Sequence, residues 1–152
     1  MIKVFSIRDY IHDLDWNDIC IIHDNARIKE LDGSASIKAF IPLKDCYKEE
    51  ELFDSIIYIG EYNGKTVGFV AINKDEITWL YIDPKYFRKG FGRKLLKFAL
   101  SKSKKPTKVT VLNNNFRAIG LYKSFGFKVI SEKKGKIPLT EIEAIGLKME
   151  QK

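Results

Sequence analysis

Apolar and polar positions change period several times along this chain, and each change marks an element. From residue 2 to 7 they alternate weakly, which predicts a first strand. Trp16, Ile19, Ile22 (or His23) and Ala26 then recur at three- and four-residue intervals, the spacing of a helix face, with Asp13 or Asp15 as cap and an end near Gly33. A short second helix is predicted over residues 45–53, its glutamates early, where the helix dipole favours them. Residues 56–62 and 66–72 flank Asn63-Gly64, a pair suited to a type I′ turn, so they form a hairpin. Lys74-Asp75 turn the chain into a fourth strand over 77–82, stopped by Pro84, which has no N–H for a ladder. A helix over 90–103 buries Phe91, Leu95, Phe98 and Ala99. A short strand at 109–112, a helix over 116–125 stopped by Gly126, and strands at 127–131 and 142–149 complete the chain.

This order predicts an α+β domain, layered α/β/α, with a mixed sheet between helices. No repeat or Pro/Gly/Ser-rich linker divides it, so residues 1–152 are expected to form a single domain. Composition adds little: 45% hydrophobic and 31% charged residues are ordinary for a globular protein. No apolar run is long enough to span a membrane and no charged-then-apolar leader opens the chain, so a cytoplasmic protein is expected. Cys20, Cys46, His12 and His23 lack metal-ligand spacing, so no metal is expected, and His23 on the first helix reads as a surface residue.

Charge changes the picture more. The net +7 is divided: residues 1–83 carry 9 basic and 16 acidic side chains, residues 84–131 carry 13 basic and none acidic, and residues 132–152 carry 5 and 4. A uniformly basic protein suggests nucleic acid, whereas this polarity suggests two tasks in two halves, with a polyanionic ligand on the basic block.

Two segments in that block carry candidate chemistry. Leu80-Tyr81-Ile82-Asp83-Pro84 runs into Arg88-Lys89-Gly90-Phe91-Gly92-Arg93, a strand leading through a basic glycine turn into a helix, where main-chain N–H groups and the helix dipole face a phosphate. Asn115 stands ahead of the next helix and Tyr122 two turns along it, followed by Phe125-Gly126-Phe127. Each piece has a plainer reading: turn glycines, a helix N-cap at Asn115, a core tyrosine at Tyr122. Taken together, from about residue 56 to 127, they resemble the GCN5-related N-acetyltransferase (GNAT) family. Its phosphate loop is matched by Phe87-Arg88-Lys89-Gly90-Phe91-Gly92, with Phe87 where Arg or Gln is usual.

The resemblance implies a mostly antiparallel sheet of six to seven strands with about four helices, strands four and five splayed around acetyl-CoA. It implies that Leu80, Tyr81, Ile82, Arg88, Lys89, Gly90, Phe91, Gly92, Arg93, Asn115 and Tyr122 hold this co-substrate. A bulge in strand four, mapped to the backbone of residues 80–82, would aim an N–H at the thioester oxygen. Tyr122 would protonate the departing thiolate. Acetyl would pass directly to a primary amine of a small molecule or peptide in a ternary complex, because no Ser–His–Asp or Cys–His set suggests an acyl-enzyme.

The amine must also lose a proton, since at a pKa near 10.4 only about one alkylamine in a few thousand is neutral at pH 7. Glu76 is the candidate base, on the strand face shared with Thr78, Leu80 and Ile82; Asp83, Glu143 and a water chain remain open, as does a polar hairpin tip with no such role. The acidic half favours a cationic acceptor. The alternative from another class is a noncatalytic acyl-CoA-binding or regulatory module of the same fold, against which Tyr122 argues. Nucleic acid is not the expected partner; a homodimer through sheet edges is left open.

Overall fold

The computed structural model describes residues 4–152. Ile2 and Lys3, the start of the first predicted strand, lie outside the described residues. The elements are β1 (Phe5–Asp9), α1 (His12–Ser34), α2 (Leu43–Cys46), β2 (Ile56–Tyr62), β3 (Lys65–Asn73), β4 (Glu76–Ile82), α3 (Phe91–Lys102), β5 (Thr107–Leu112), α4 (Phe116–Ser124), β6 (Lys128–Lys136) and β7 (Glu143–Gln151). The seven strands make one sheet in the order β1-β2-β3-β4-β5-β7-β6. All neighbours are antiparallel except β4 and β5.

Local chemistry accounts for most boundaries. Asn63 and Gly64 take φ of 53° and 75°, as a type I′ turn requires, and close the β2–β3 hairpin. Asp15 serves the start of α1 from inside its first turn, accepting the Ile11 N–H at 2.8 Å. The second helix differs from expectation. Pro42 fixes its start, so it spans only Leu43–Cys46, and Glu51 adopts a left-handed φ of 56° that excludes a continuous helix over 45–53. The sixth strand is longer than expected, running to Lys136, because its pairing with β7 outlasts its apolar pattern.

Two apolar cores sandwich the sheet. Val70, Ile77, Ile82, Leu95, Leu96 and Met149 belong to the one beneath α3 and α4, whereas Ile19, Ile22, Leu43, Phe69 and Trp79 belong to the one beneath α1 and α2. The layered α+β architecture therefore stands as expected.

The decisive feature is the middle of the sheet. β4 and β5 are registered at one position alone, Glu76 with Lys108, supported by the Lys108 N–H bonded to the Asp75 carbonyl at 2.7 Å. Towards Ile82 they part. β5 turns its other edge to β7 from Thr107 through Leu112, so nothing on that side replaces the missing ladder.

Candidate active site

The gap opens into a cavity of about 580 Å³. Its β4 wall is built by strand periodicity. The Asp83 N–H bonds the Val67 carbonyl at 2.8 Å, so Asp83, and Tyr81 two residues before it, turn their main chain towards β3. The N–H and C=O groups of Leu80 and Ile82 then face the gap, where no strand pairs with them.

A bulge in β4 sets which side chains go where. Ala71 pairs with Trp79 but Ile72 pairs with Ile77, leaving Thr78 as the extra residue. The bulge thus lies at Thr78, not over residues 80–82, which keep regular register with β3. It also reverses the faces. Ile77, Leu80 and Ile82 pack beneath α3, while Trp79 and Tyr81 pack beneath α1. Glu76 alternates with Ile77 and so lies on the α1 side, opposite Leu80 and Ile82, contrary to the unbroken alternation expected from sequence.

At the wide end of the gap stands the N-terminus of α3. Gly90 caps it with φ 81°, and Arg88 before it has φ 65°. These two left-handed residues turn the chain into α3 beside the cavity, and the first N–H groups of a helix have no intrahelical partner. Arg88, Gly90, Phe91, Gly92 and Arg93 line the cavity; Lys89 does not. Arg117 lines it too and lies flat on the Phe87 ring, 3.3 Å from its centroid. Phe87, the departure from the family pattern, thus supports an arginine that sequence alone did not single out.

Across the gap, Asn115 caps α4, its Oδ1 accepting the Ala118 N–H at 3.2 Å, and its Nδ2 donates to Glu30 Oε2 at 2.9 Å. Glu30, on α1, belongs to no motif that would single it out. It also accepts from Tyr81 Oη at 3.3 Å and from Arg27 Nη1 at 2.5 Å, tying α1, β4 and α4 together at the cavity. Tyr122 is 5% exposed and lines the same cavity, with Phe127 edge-on at 5.3 Å. Burial first, and then the Glu30 charge, push its phenol above the ordinary tyrosine range, so it stays protonated at neutral pH.

Glu76 lines a second, smaller cavity of about 310 Å³ on the α1 side of β4, with His23, Arg27, Glu50, Glu51, Thr78, Trp79 and Thr110. His23 is 2% exposed, not the surface histidine expected. Asp83 and Glu143 line neither cavity: Asp83 accepts the Lys85 N–H, and Glu143 pairs with Lys134 on the outer strands. Among the described residues no three His, Cys, Asp or Glu side chains form a group that could hold a metal ion, and no helix is long and apolar enough to cross a membrane.

Comparison with known proteins agrees with this geometry. A family model described as acetyltransferase (GNAT) domain matches residues 53–129, half of the chain. The UPF0157 protein YqkA of Bacillus subtilis is 36% identical over 72 residues, covering 43% of this chain; the chain spans only 21% of that relative's length. Apo YjaB from Escherichia coli shares the fold with a TM-score of 0.69, at 23% identity over 97% of both chains. The ribosomal-protein-S18-alanine N-acetyltransferase of E. coli superposes with a TM-score of 0.67, at 21% identity over 97% of this chain and 93% of its own. A Bacillus anthracis protein described as a streptothricin acetyltransferase, in complex with acetyl coenzyme A, gives 0.55 at 21% identity, over 64% of this chain and 61% of its own.

Proposed function

Since the chain belongs to the GNAT acetyltransferase family, we propose that it transfers acetyl from acetyl-CoA directly to a primary amine. The observation that carries this reading is the β4–β5 gap, with unpaired Leu80 and Ile82 main-chain groups on one wall, a basic helix N-terminus at its mouth and a buried tyrosine inside.

The residues fit such a co-substrate. Arg88, Arg93 and Arg117 supply positive charge at the mouth, and the amides opening α3 supply donors, a combination suited to a pyrophosphate. The Leu80 and Ile82 edge offers donors and acceptors at alternate residues to an extended amide-bearing arm. Acetyl-CoA supplies an activated acetyl group, and the protein positions and polarises it. An N–H from this edge, preorganised towards the developing oxyanion, lowers the barrier by about 3 kcal/mol in comparable sites. Tyr122, held protonated, gives its phenolic proton to the sulfur as the C–S bond breaks. The acceptor approaches from the α1 side, where Glu76 and the second cavity lie.

Calorimetry of acetyl-CoA binding tests this. The wild type should bind at micromolar concentration, and Gly92→Glu, which puts bulk and like charge in the phosphate loop, should not. A wild type that leaves acetyl-CoA unbound sinks the reading.

A further inference from the structure

We propose that His23 accepts the proton of the acceptor amine, and that the second cavity receives this amine as an alkylammonium ion. The proposal rests on the transferase reading above.

The His23 ring is anchored at one of its two nitrogens. Its Nδ1 lies 2.9 Å from Asp24 Oδ1, and the same oxygen accepts the Leu43 N–H at 2.9 Å, so the carboxylate is itself anchored. A carboxylate there places the ring proton on Nδ1 and leaves the Nε2 lone pair free. Among the described residues Nε2 has no hydrogen-bond partner. Yet among the described residues no buried side-chain nitrogen or oxygen lacks one, so Nε2 opens into the cavity that His23 lines.

The position suits the chemistry. The ring packs against β4 between Trp79, 5.7 Å between centroids, and Tyr81, edge-on at 5.1 Å. It therefore lies on the α1 face of β4 at the two residues that flank Leu80, and Thr78, Trp79 and Tyr81 line both cavities.

The surroundings set the charge. Asp24 and Arg27 face the ring from α1, Glu50 and Glu51 from the α2–β2 connection, and Glu76 and the Tyr81 hydroxyl from β4; β5 contributes only Thr110. Arg27 is engaged by Glu30, so the three glutamates leave the cavity anionic, as a cationic amine requires. Burial depresses His23's affinity for a proton despite Asp24 and Glu50, which keeps the imidazole neutral at pH 7.

The protons balance. The alkylammonium gives one proton to Nε2 and then attacks the acetyl carbon, forming C–N and breaking C–S. Its second N–H proton replaces the one Tyr122 passes to the thiolate, and His23 returns its proton to solvent.

The test measures acetyl transfer to the diamine cadaverine against pH, beside 5-aminovalerate, which has the same amine but an anionic end. Calorimetry of acetyl-CoA on every variant serves as the fold check. Cadaverine should be preferred by about tenfold or more, and His23→Gln should lower kcat by about 100-fold, as loss of a general base does, with the acetyl-CoA Kd unchanged. Asp24→Asn keeps the oxygen that bonds Nδ1 and Leu43 but removes the charge that raises the histidine pKa. It should therefore move the acid limb of kcat/KM to lower pH, which a purely structural role would not do. His23→Gln with near-wild-type kcat, an unmoved limb in Asp24→Asn, equal use of both amines, or no transfer to cadaverine by enzyme that binds acetyl-CoA overturns the proposal. If His23→Gln fails to fold, the Asp24→Asn limb decides. Wild type that does not bind acetyl-CoA overturns the transferase reading instead.

Discussion

Asp15 has no exposed surface, yet Arg8 reaches it with two hydrogen bonds of 2.7 Å and the Ile11 N–H adds a third. The Arg8 bonds, first of all, hold this carboxyl below the ordinary aspartate range. A folded-state pKa below the unfolded one means stability that is fully present above about pH 4 and lost as pH falls through the folded value. Asp15→Asn leaves Arg8 with Glu61 as its only acidic partner and should cost about 2 kcal/mol at pH 7, read as a lower Tm, with the difference from wild type narrowing in acid. At the cavity, Tyr122→Phe removes only the proton donor. It should lower kcat by about 100-fold with the acetyl-CoA Kd little changed, whereas equal loss of both points to packing rather than proton transfer. Tyr122 was visible in sequence because it and Asn115 belong to one short motif spanning the start and body of α4. Glu30 was not: it meets Asn115 across 85 positions, and a lone glutamate on a long helix gives no local sign of that.

Elements whose signals are local were legible. Asn63-Gly64 dictates its hairpin through the φ values both residues must adopt, and Gly90 and Gly126 punctuate helices at φ 81° and 88°. The region 45–53 was not, because acidic residues favour both a first helical turn and an exposed loop, and Pro42 with a left-handed Glu51 decided between them. The β4 bulge was hidden for a different reason. Register belongs to a pair of strands, so the strand alone reads as unbroken alternation and puts Glu76 on the wrong face. The phosphate loop offers a clean test at this scale. A Cβ on Gly90 meets nothing within 4 Å, so Gly90→Ala carries only a conformational cost of about 1 kcal/mol for its positive φ. A small drop in Tm with a severalfold weaker acetyl-CoA Kd is expected; an unchanged Kd argues that the loop conformation does not hold the ligand.

Charge is polarised along the chain: residues 1–83 carry −7 and residues 84–131 carry +13, and β4 and β5, one from each segment, flank the gap. Raising salt should therefore weaken both acetyl-CoA and a cationic acceptor, through screening over a Debye length near 10 Å at 0.1 M; KM values insensitive to salt argue against steering. The single Glu76–Lys108 rung has a further consequence for how such a sheet exchanges its amide hydrogens. Without a ligand, Leu80 and Ile82 should exchange quickly while Tyr81, bonded towards β3, is slow, an every-other-residue pattern within one strand. A ligand in the cleft should slow the fast pair and leave Tyr81 as it was. At about 100 times its Kd it should also stabilise the fold by about 2.7 kcal/mol. The same strand would then report occupancy residue by residue, turning an incomplete ladder into a built-in gauge of saturation.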